Sequence, residues 1–319
     1  MMVLSPQIAN GQTTPKPPGR LVDLGGHRLH VNCTGGGHPT VVVENGLGDF
    51  SFDWILVQTR VSKFARICTY DRGGYAWSDP APLPRTFPQL NLELHDALTK
   101  LGEQGPFVLV GHSFGGPVVR SFASSYPKDT AGMVLVDAAH EEQRYTYKGK
   151  AILIRESASG RAIPEPHEKM RDSDIVDVTR PNKPRGALMP LYQLLPAPQQ
   201  ELQVWAESLA AFGSAEDSQR DWSPESLLSM HNSRQAGSLG AVPLIVLTRA
   251  KGGFDSDLDI PAPQLEKERT EAQRRLTLLS TNSAQIIVSS GHNMEIEAPE
   301  EVTAAILRVC AAVRKGSRV

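Results

Sequence analysis

The chain has 319 residues, 40% hydrophobic and 21% charged, with a formal net charge of -2. That near-neutral balance on an ordinary globular composition argues against nucleic-acid binding and against a polybasic membrane surface. No apolar run approaches the ~18 residues that a membrane span needs, and Cys33, Cys68 and Cys310 have no metal-ligand spacing.

Residues 1–18 are polar and rich in Pro, Gln and Thr, with no apolar signal core; they read as a flexible leader or the remains of a trimmed precursor. Alternation on both sides of Gly25-Gly26, from Arg20 to Cys33, predicts a β-hairpin. Thr40–Glu44 is a β-branched strand that runs into Asn45-Gly46-Leu47-Gly48-Asp49. A helix beginning near Ser51–Trp54 follows, then a strand over Phe64–Tyr70 that ends in Asp71-Arg72-Gly73-Gly74. After a proline-rich loop over Pro80–Pro88, Leu90–Leu101 has helical spacing. Phe107–Val110 is a buried strand too short to be a helix, and Gly132–Asp137 is another.

Residues 138–241 are richer in charge, proline and polar residues and hold no parallel-strand run. Helical spacing at 191–212 and 223–236 predicts a mostly helical cap inserted over one edge of a sheet. The strand pattern resumes at Val242–Thr248, followed by a charged amphipathic helix over Leu265–Leu279 and a last strand over Ala284–Ser290. The final helix, from about Pro299 to Val313, carries Cys310 on its apolar face as a buried thiol. The fold class is therefore α/β, a mostly parallel sheet with a core over 19–137 and 242–319 and a cap over 138–241.

The chemistry centres on Gly111-His112-Ser113-Phe114-Gly115, the Gly-x-Ser-x-Gly pattern between that short strand and an apolar helix face (Val118, Val119, Phe122, Ala123). Such a turn holds a serine nucleophile in a strained conformation, clear of the sheet. A serine hydroxyl needs a base, and His292 lies just past the last strand, on the edge where catalytic groups of open α/β sheets collect. His112 reads as shaping the turn, and His140 is a weaker alternative base. For the acid, Asp137 at a strand end competes with Asp255, Asp257 and Asp259 in the loop after the next strand. The rigid position favours Asp137, whose other reading is a cap for the following segment. Backbone N–H groups of Phe114 and Leu47 are the expected oxyanion donors, with Asp49 beside them either orienting a neighbouring group or, the favoured reading, standing as a solvated turn acid. Asp71 and Arg72 are expected to be structural, the acid satisfying loop N–H groups and the arginine bracing strand ends.

With Asn45-Gly46-Leu47-Gly48, Tyr70-Asp71-Arg72-Gly73-Gly74, Gly111-His112-Ser113-Phe114-Gly115-Gly116 and Gly291-His292 in this order, the chain resembles the α/β-hydrolase fold superfamily from about Arg20 to Val313. The resemblance implies eight strands, the second antiparallel, and a cap after the sixth. It matches Ser113 to the nucleophile and His292 to the base. The family's acid usually follows the seventh strand, and in a subset the sixth; Arg249-Ala250-Lys251 stand where Gly-x-x-Asp is usual, which favours Asp137. Asn45 replaces a histidine common there, and Ser113 in place of Asp argues against epoxide hydrolases and dehalogenases.

The family's strand order sets the second strand beside the fourth, so Cys33 and Cys68 are expected either to form a disulfide or to remain two buried thiols. A disulfide would imply an oxidising compartment and an exported precursor with a signal peptide; free thiols leave the cytoplasm open. The expected activity is a serine hydrolase that cleaves carboxylic esters through an acyl-enzyme, on a small-molecule acyl substrate, without metal or organic cofactor. Amides, lactones, carbon–carbon bonds and perhydrolysis stay open on the same triad, as does a non-catalytic ligand-binding relative. Tyr145, Tyr192, Trp205, Phe212 and Trp222 either line an apolar pocket or pack the cap.

Overall fold

The computed structural model describes residues 14–83, 85–141, 144–147, 150–153, 188–213, 224–253 and 261–319. Its strands are β1 (Arg20–Asp23), β2 (Arg28–Thr34), β3 (Val41–Glu44), β4 (Ile67–Tyr70), β5 (Phe107–His112), β6 (Thr130–Val136), β7 (Arg144–Tyr147), β8 (Lys150–Leu153), β9 (Leu244–Arg249) and β10 (Ser283–Val288). Eight form one sheet in the order β1-β2-β4-β3-β5-β6-β9-β10, in which only β2 runs against its neighbours.

Period-two alternation sorts the central strands into two cores. Val42, Leu109, Met133, Leu135, Leu244 and Val246 face Leu94, Leu98, Phe122 and Leu276, from the helices Phe87–Leu101, Gly115–Ser125 and Ala262–Leu276. Val41, Val43, Val108, Val110, Val134, Val136, Ile245 and Leu247 face Val57, Val61, Ile306, Val309 and Cys310, from the helices Ile55–Val61 and Pro299–Lys315. Burial on both faces is why these strands read as continuous apolar runs. Parallel pairing brings the carboxyl ends of β3, β5, β6, β9 and β10 to one edge, and the residues that follow them meet there.

Cys33 and Cys68 stand opposite each other in the antiparallel β2–β4 register and are joined as a disulfide. The cross-link closes a sequence separation of 35 residues, a length for which restricting the unfolded chain stabilises by about 2–4 kcal/mol. Alkylation and mass measurement of the unreduced, denatured protein is therefore expected to label Cys310 alone. Three labelled thiols would contradict the cross-link.

The segment between β6 and β9 differs in part from the sequence expectation. Among the described residues its helices include Ala197–Glu207 and Pro224–Asn232, with a 3-10 turn at Pro190–Leu194. It also contains an antiparallel hairpin, β7 with β8, where no strand was expected. The local run Arg144-Tyr145-Thr146-Tyr147 is rich in aromatic and β-branched residues, which favour strand, but flanking charge masks it. The helix Ala197–Glu207 packs on the segments that follow β3 and β4: Gln203 Nε2 donates to Asp53, and Trp205 lies 5.2 Å from the Trp77 ring. Phe212 packs on Phe50 and Tyr75 at 5.0 and 5.1 Å. Tyr192 is buried with Leu195 and Ile296. Tyr192, Trp205 and Phe212 thus pack this segment onto the sheet layer; the side chains of Tyr145 and Trp222 lie outside the described residues. Among the described residues no helix is long and apolar enough to cross a membrane.

Candidate active site

β5 ends at His112 and the chain reverses into the helix Gly115–Ser125 within two residues. Ser113, at that corner, has φ +49, a left-handed conformation that costs about 1–3 kcal/mol for a non-glycine residue. Backbone bonds hold it there: Ser113 N–H donates to the Val136 carbonyl at 3.1 Å, and its own carbonyl accepts from Gly116 N–H at 3.0 Å and Ala139 N–H at 2.8 Å. The glycines on either side are required by close approach. A Cβ on Gly111 would stand 2.6 Å from the Gly115 carbonyl, and one on Gly115 would strike the Glu44 carbonyl.

Asp137 follows β6 directly and also has positive φ, +37. Its Oδ2 accepts from His292 Nδ1 at 2.7 Å, and its Oδ1 accepts from Arg269 Nη1 at 3.0 Å. Arg249 Nε lies 3.3 Å from Oδ2. Burial by itself would push this carboxyl up, but the His292 hydrogen bond and the Arg269 and Arg249 charges outweigh it and hold Asp137 below the ordinary carboxylate range. Glu266 bonds to Arg249 and Arg269 at 2.7 and 2.9 Å and so orients both cations. Sequence reasoning missed these arginines. Arg249 was visible as a cation at a strand end, but Arg269 sits in a helix whose sequence is charged throughout, and nothing local marks it as buried.

His292 keeps 45% of its side chain exposed, with Nε2 as the ring nitrogen not used by Asp137. The structure brings His292 and Asp137 into contact; Ser113 Oγ makes no hydrogen bond to a described residue. Asp255, Asp257 and Asp259 lie outside the described residues. His140 is 7% exposed, and burial pushes its imidazole down to about 4 despite Glu141 alongside, which Arg120 binds through two hydrogen bonds.

His112 does more than shape a turn. Its Nδ1 lies 2.7 Å from Asp49 Oδ2 and its Nε2 3.1 Å from the His292 carbonyl, with Glu295 Oε2 3.7 Å from the same nitrogen. A carboxylate and a carbonyl only accept, so both ring nitrogens must donate and the ring is an imidazolium. Burial alone would lower its pKa, but Glu295 and Asp49 raise it to about 10. The expectation of a solvated Asp49 is corrected accordingly. Asp49 is 6% exposed and accepts from Gly46 N–H at 2.9 Å as well as from His112; the turn folds inward because a buried cation awaits its carboxylate. One buried charge thus ties together the loops after β3, β5 and β10.

Behind these loops, Asp71 accepts from Ser51 N–H at 2.8 Å and bonds His30 at 2.6 Å, while Arg72 pairs with Glu44 at 2.8 Å. Asp71 thus satisfies a loop N–H group and Arg72 reaches back to the end of β3. Leu47 is half-buried, packed on the cluster that holds Phe114, and its N–H has no acceptor among the described residues.

Known proteins are similar to this chain in sequence and fold. Residues 39–153 match the family model of the α/β hydrolase fold. A stretch of 135 residues is 35% identical to the "Probable transporter efuK" of Hormonema carpetanum, covering 40% of this chain and 19% of that protein. Another of 114 residues is 33% identical to the 2-hydroxy-6-oxononadienedioate/2-hydroxy-6-oxononatrienedioate hydrolase of Paraburkholderia phymatum, covering 34% of this chain and 39% of that one. The chain therefore spans less than two fifths of the length of either relative. Among solved structures, the enol-lactonase from Burkholderia xenovorans LB400 superposes with a TM-score of 0.61 at 18% identity, over 92% of this chain and 100% of that one. By its strand order, its family match over residues 39–153 and this superposition, the chain has the α/β-hydrolase fold.

Proposed function

We propose that the protein is a serine hydrolase acting on carboxylic esters, with Ser113, His292 and Asp137 as its triad. The observation that carries the reading is the His292–Asp137 hydrogen bond of 2.7 Å at the sheet edge where the strained Ser113 stands. Ser113 Oγ attacks the acyl carbon and gives its proton to His292 Nε2. Asp137 accepts from Nδ1–H, which fixes the tautomer and offsets the imidazolium charge. The carbonyl oxygen becomes an oxyanion that accepts from the N–H groups of Phe114 and Leu47. His292 then protonates the leaving alcohol, and a water activated by the same base hydrolyses the acyl-enzyme. Every group required is a side chain or backbone amide of this chain, so the proposed reaction uses no cofactor.

The segment 138–241 forms the cap in this reading, and its aromatic packing on Phe50, Tyr75 and Trp77 supports a fixed roof. The Cys33–Cys68 disulfide supports folding in an oxidising compartment. Carboxylic esters are the first choice of substrate because an alkoxide leaves more readily than an amide anion or a carbanion. The test is hydrolysis of p-nitrophenyl esters from acetate to long acyl chains. Saturable turnover that peaks at one chain length is expected and would size the pocket; no turnover on any member would overturn the ester reading.

A further inference from the structure

Arg72 is buried behind the turn that follows β3, with a side chain 1% exposed. Its guanidinium spans that turn. Nη1 donates to Glu44 Oε1 at 2.8 Å and to the Asn45 carbonyl at 2.7 Å, and Nη2 donates to the Gly46 carbonyl at 2.5 Å. Gly46 N–H in turn donates to Asp49 Oδ2 at 2.9 Å. The peptides Asn45–Gly46 and Gly46–Leu47 thus have both carbonyls and one N–H taken up by side chains, and only Leu47 N–H is left without an acceptor among the described residues.

In a trans peptide the N–H and C=O point in opposite directions. Once the Gly46 carbonyl is fixed on the guanidinium, Leu47 N–H must point to the other side of the peptide plane, away from the cation. The Leu47 side chain packs on the cluster that contains Phe114, the other proposed donor, and the Arg72 guanidinium also lies 5.4 Å from the Phe114 ring. A cation bound to the carbonyl draws electron density along the amide and makes its N–H a stronger donor.

We propose that Arg72 is the positioning residue of the oxyanion hole, holding the Asn45–Leu47 backbone so that Leu47 N–H is aimed at the developing oxyanion and polarising that amide from behind. This rests on the serine-hydrolase reading above. Lysine is no substitute: a single ammonium cannot hold two carbonyls and a carboxylate in one plane as the guanidinium fork does.

The probe is an aryl trifluoromethyl ketone. Ser113 Oγ adds to its carbonyl carbon, the C=O π bond breaks, the serine proton passes to His292, and the ketone oxygen becomes a hemiketal oxyanion whose ionisation is followed by 19F NMR. Two variants are compared with wild type: Arg72→Lys, and Arg72→Met combined with Glu44→Gln so that no buried carboxylate loses its partner. Both are expected to hold the hemiketal proton to higher pH than wild type. Ester kcat should fall about 100-fold, the loss typical of one oxyanion donor, with KM little changed. Folded variants with unchanged kcat and unchanged hemiketal ionisation would overturn the proposal, because a merely structural arginine changes the melting temperature and not the oxyanion.

A measurement on 15N-labelled wild type serves if neither variant folds. The Leu47 amide proton should move downfield when the adduct forms, and a Leu47 resonance that stays in place would overturn the proposal equally. A wild type that forms no adduct would overturn the serine-hydrolase reading itself, and this inference with it.

Discussion

Ser113→Ala is expected to lower kcat on the best p-nitrophenyl ester by about 10⁴- to 10⁶-fold, leaving only what the oxyanion donors and substrate binding contribute. The substitution removes the one oxygen that attacks and the proton that His292 would accept. It leaves the corner itself intact, since the bonds that hold residue 113 are made by its backbone: its N–H to Val136, its carbonyl to Gly116 and Ala139. Alanine carries the same Cβ into φ +49 as serine does, so the melting temperature should stay close to that of wild type. Steady-state assays with a thermal melt on the same preparation check both halves. A variant that keeps its melting temperature and also its turnover would mean that another residue attacks.

Asp137→Asn is expected to lower kcat by about 10⁴-fold, because an amide at that position no longer holds the required tautomer or balances the imidazolium. It should also destabilise the fold, unlike Ser113→Ala. Arg269 and Arg249, 6% and 8% exposed, both face this carboxylate, and breaking a buried pair by removing one partner costs about 3–5 kcal/mol. The pH dependence follows from the depressed Asp137 pKa. A carboxylate held below its ordinary value stabilises the folded state fully above that value, about 4, and loses the contribution as pH falls through the depressed value. Urea unfolding should therefore show the wild type well ahead of Asp137→Asn at pH 7, with the gap closing under strong acid. Asp255→Asn and Asp257→Asn should retain activity; a collapse in either would move the triad acid to that loop.

Much of the fold was legible because its signals are local. The apolar runs at Val41–Val43, Phe107–Val110, Met133–Val136 and Leu244–Leu247 must be buried on both faces, and only a sheet with helices on each side provides that. The hairpin β7–β8 was missed because its two four-residue strands, Arg144–Tyr147 and Lys150–Leu153, are short and each begins with a charged residue that masks the run. At the candidate site, Gly111-His112-Ser113-Phe114-Gly115 was readable because close approach at two flanking positions excludes side chains, a constraint written directly into residue type. Asp49 was misread for the opposite reason: its local surroundings, Gly48 and Phe50, look like an ordinary turn, and what buries it is a histidine 63 positions away.

By itself, then, the sequence determined the strand pattern, the sharp corner that carries Ser113 and the placing of His292 just past the last strand, since each depends on the shape and polarity of neighbouring residues. Tertiary structure alone decided the charges. His292 meets Asp137 across 155 positions, Arg269 reaches the same carboxylate across 132, and Arg72 returns across 26 to hold the Gly46 carbonyl. Electrostatic partners act through distance and burial, and both come into being only when the sheet brings the ends of separate strands together.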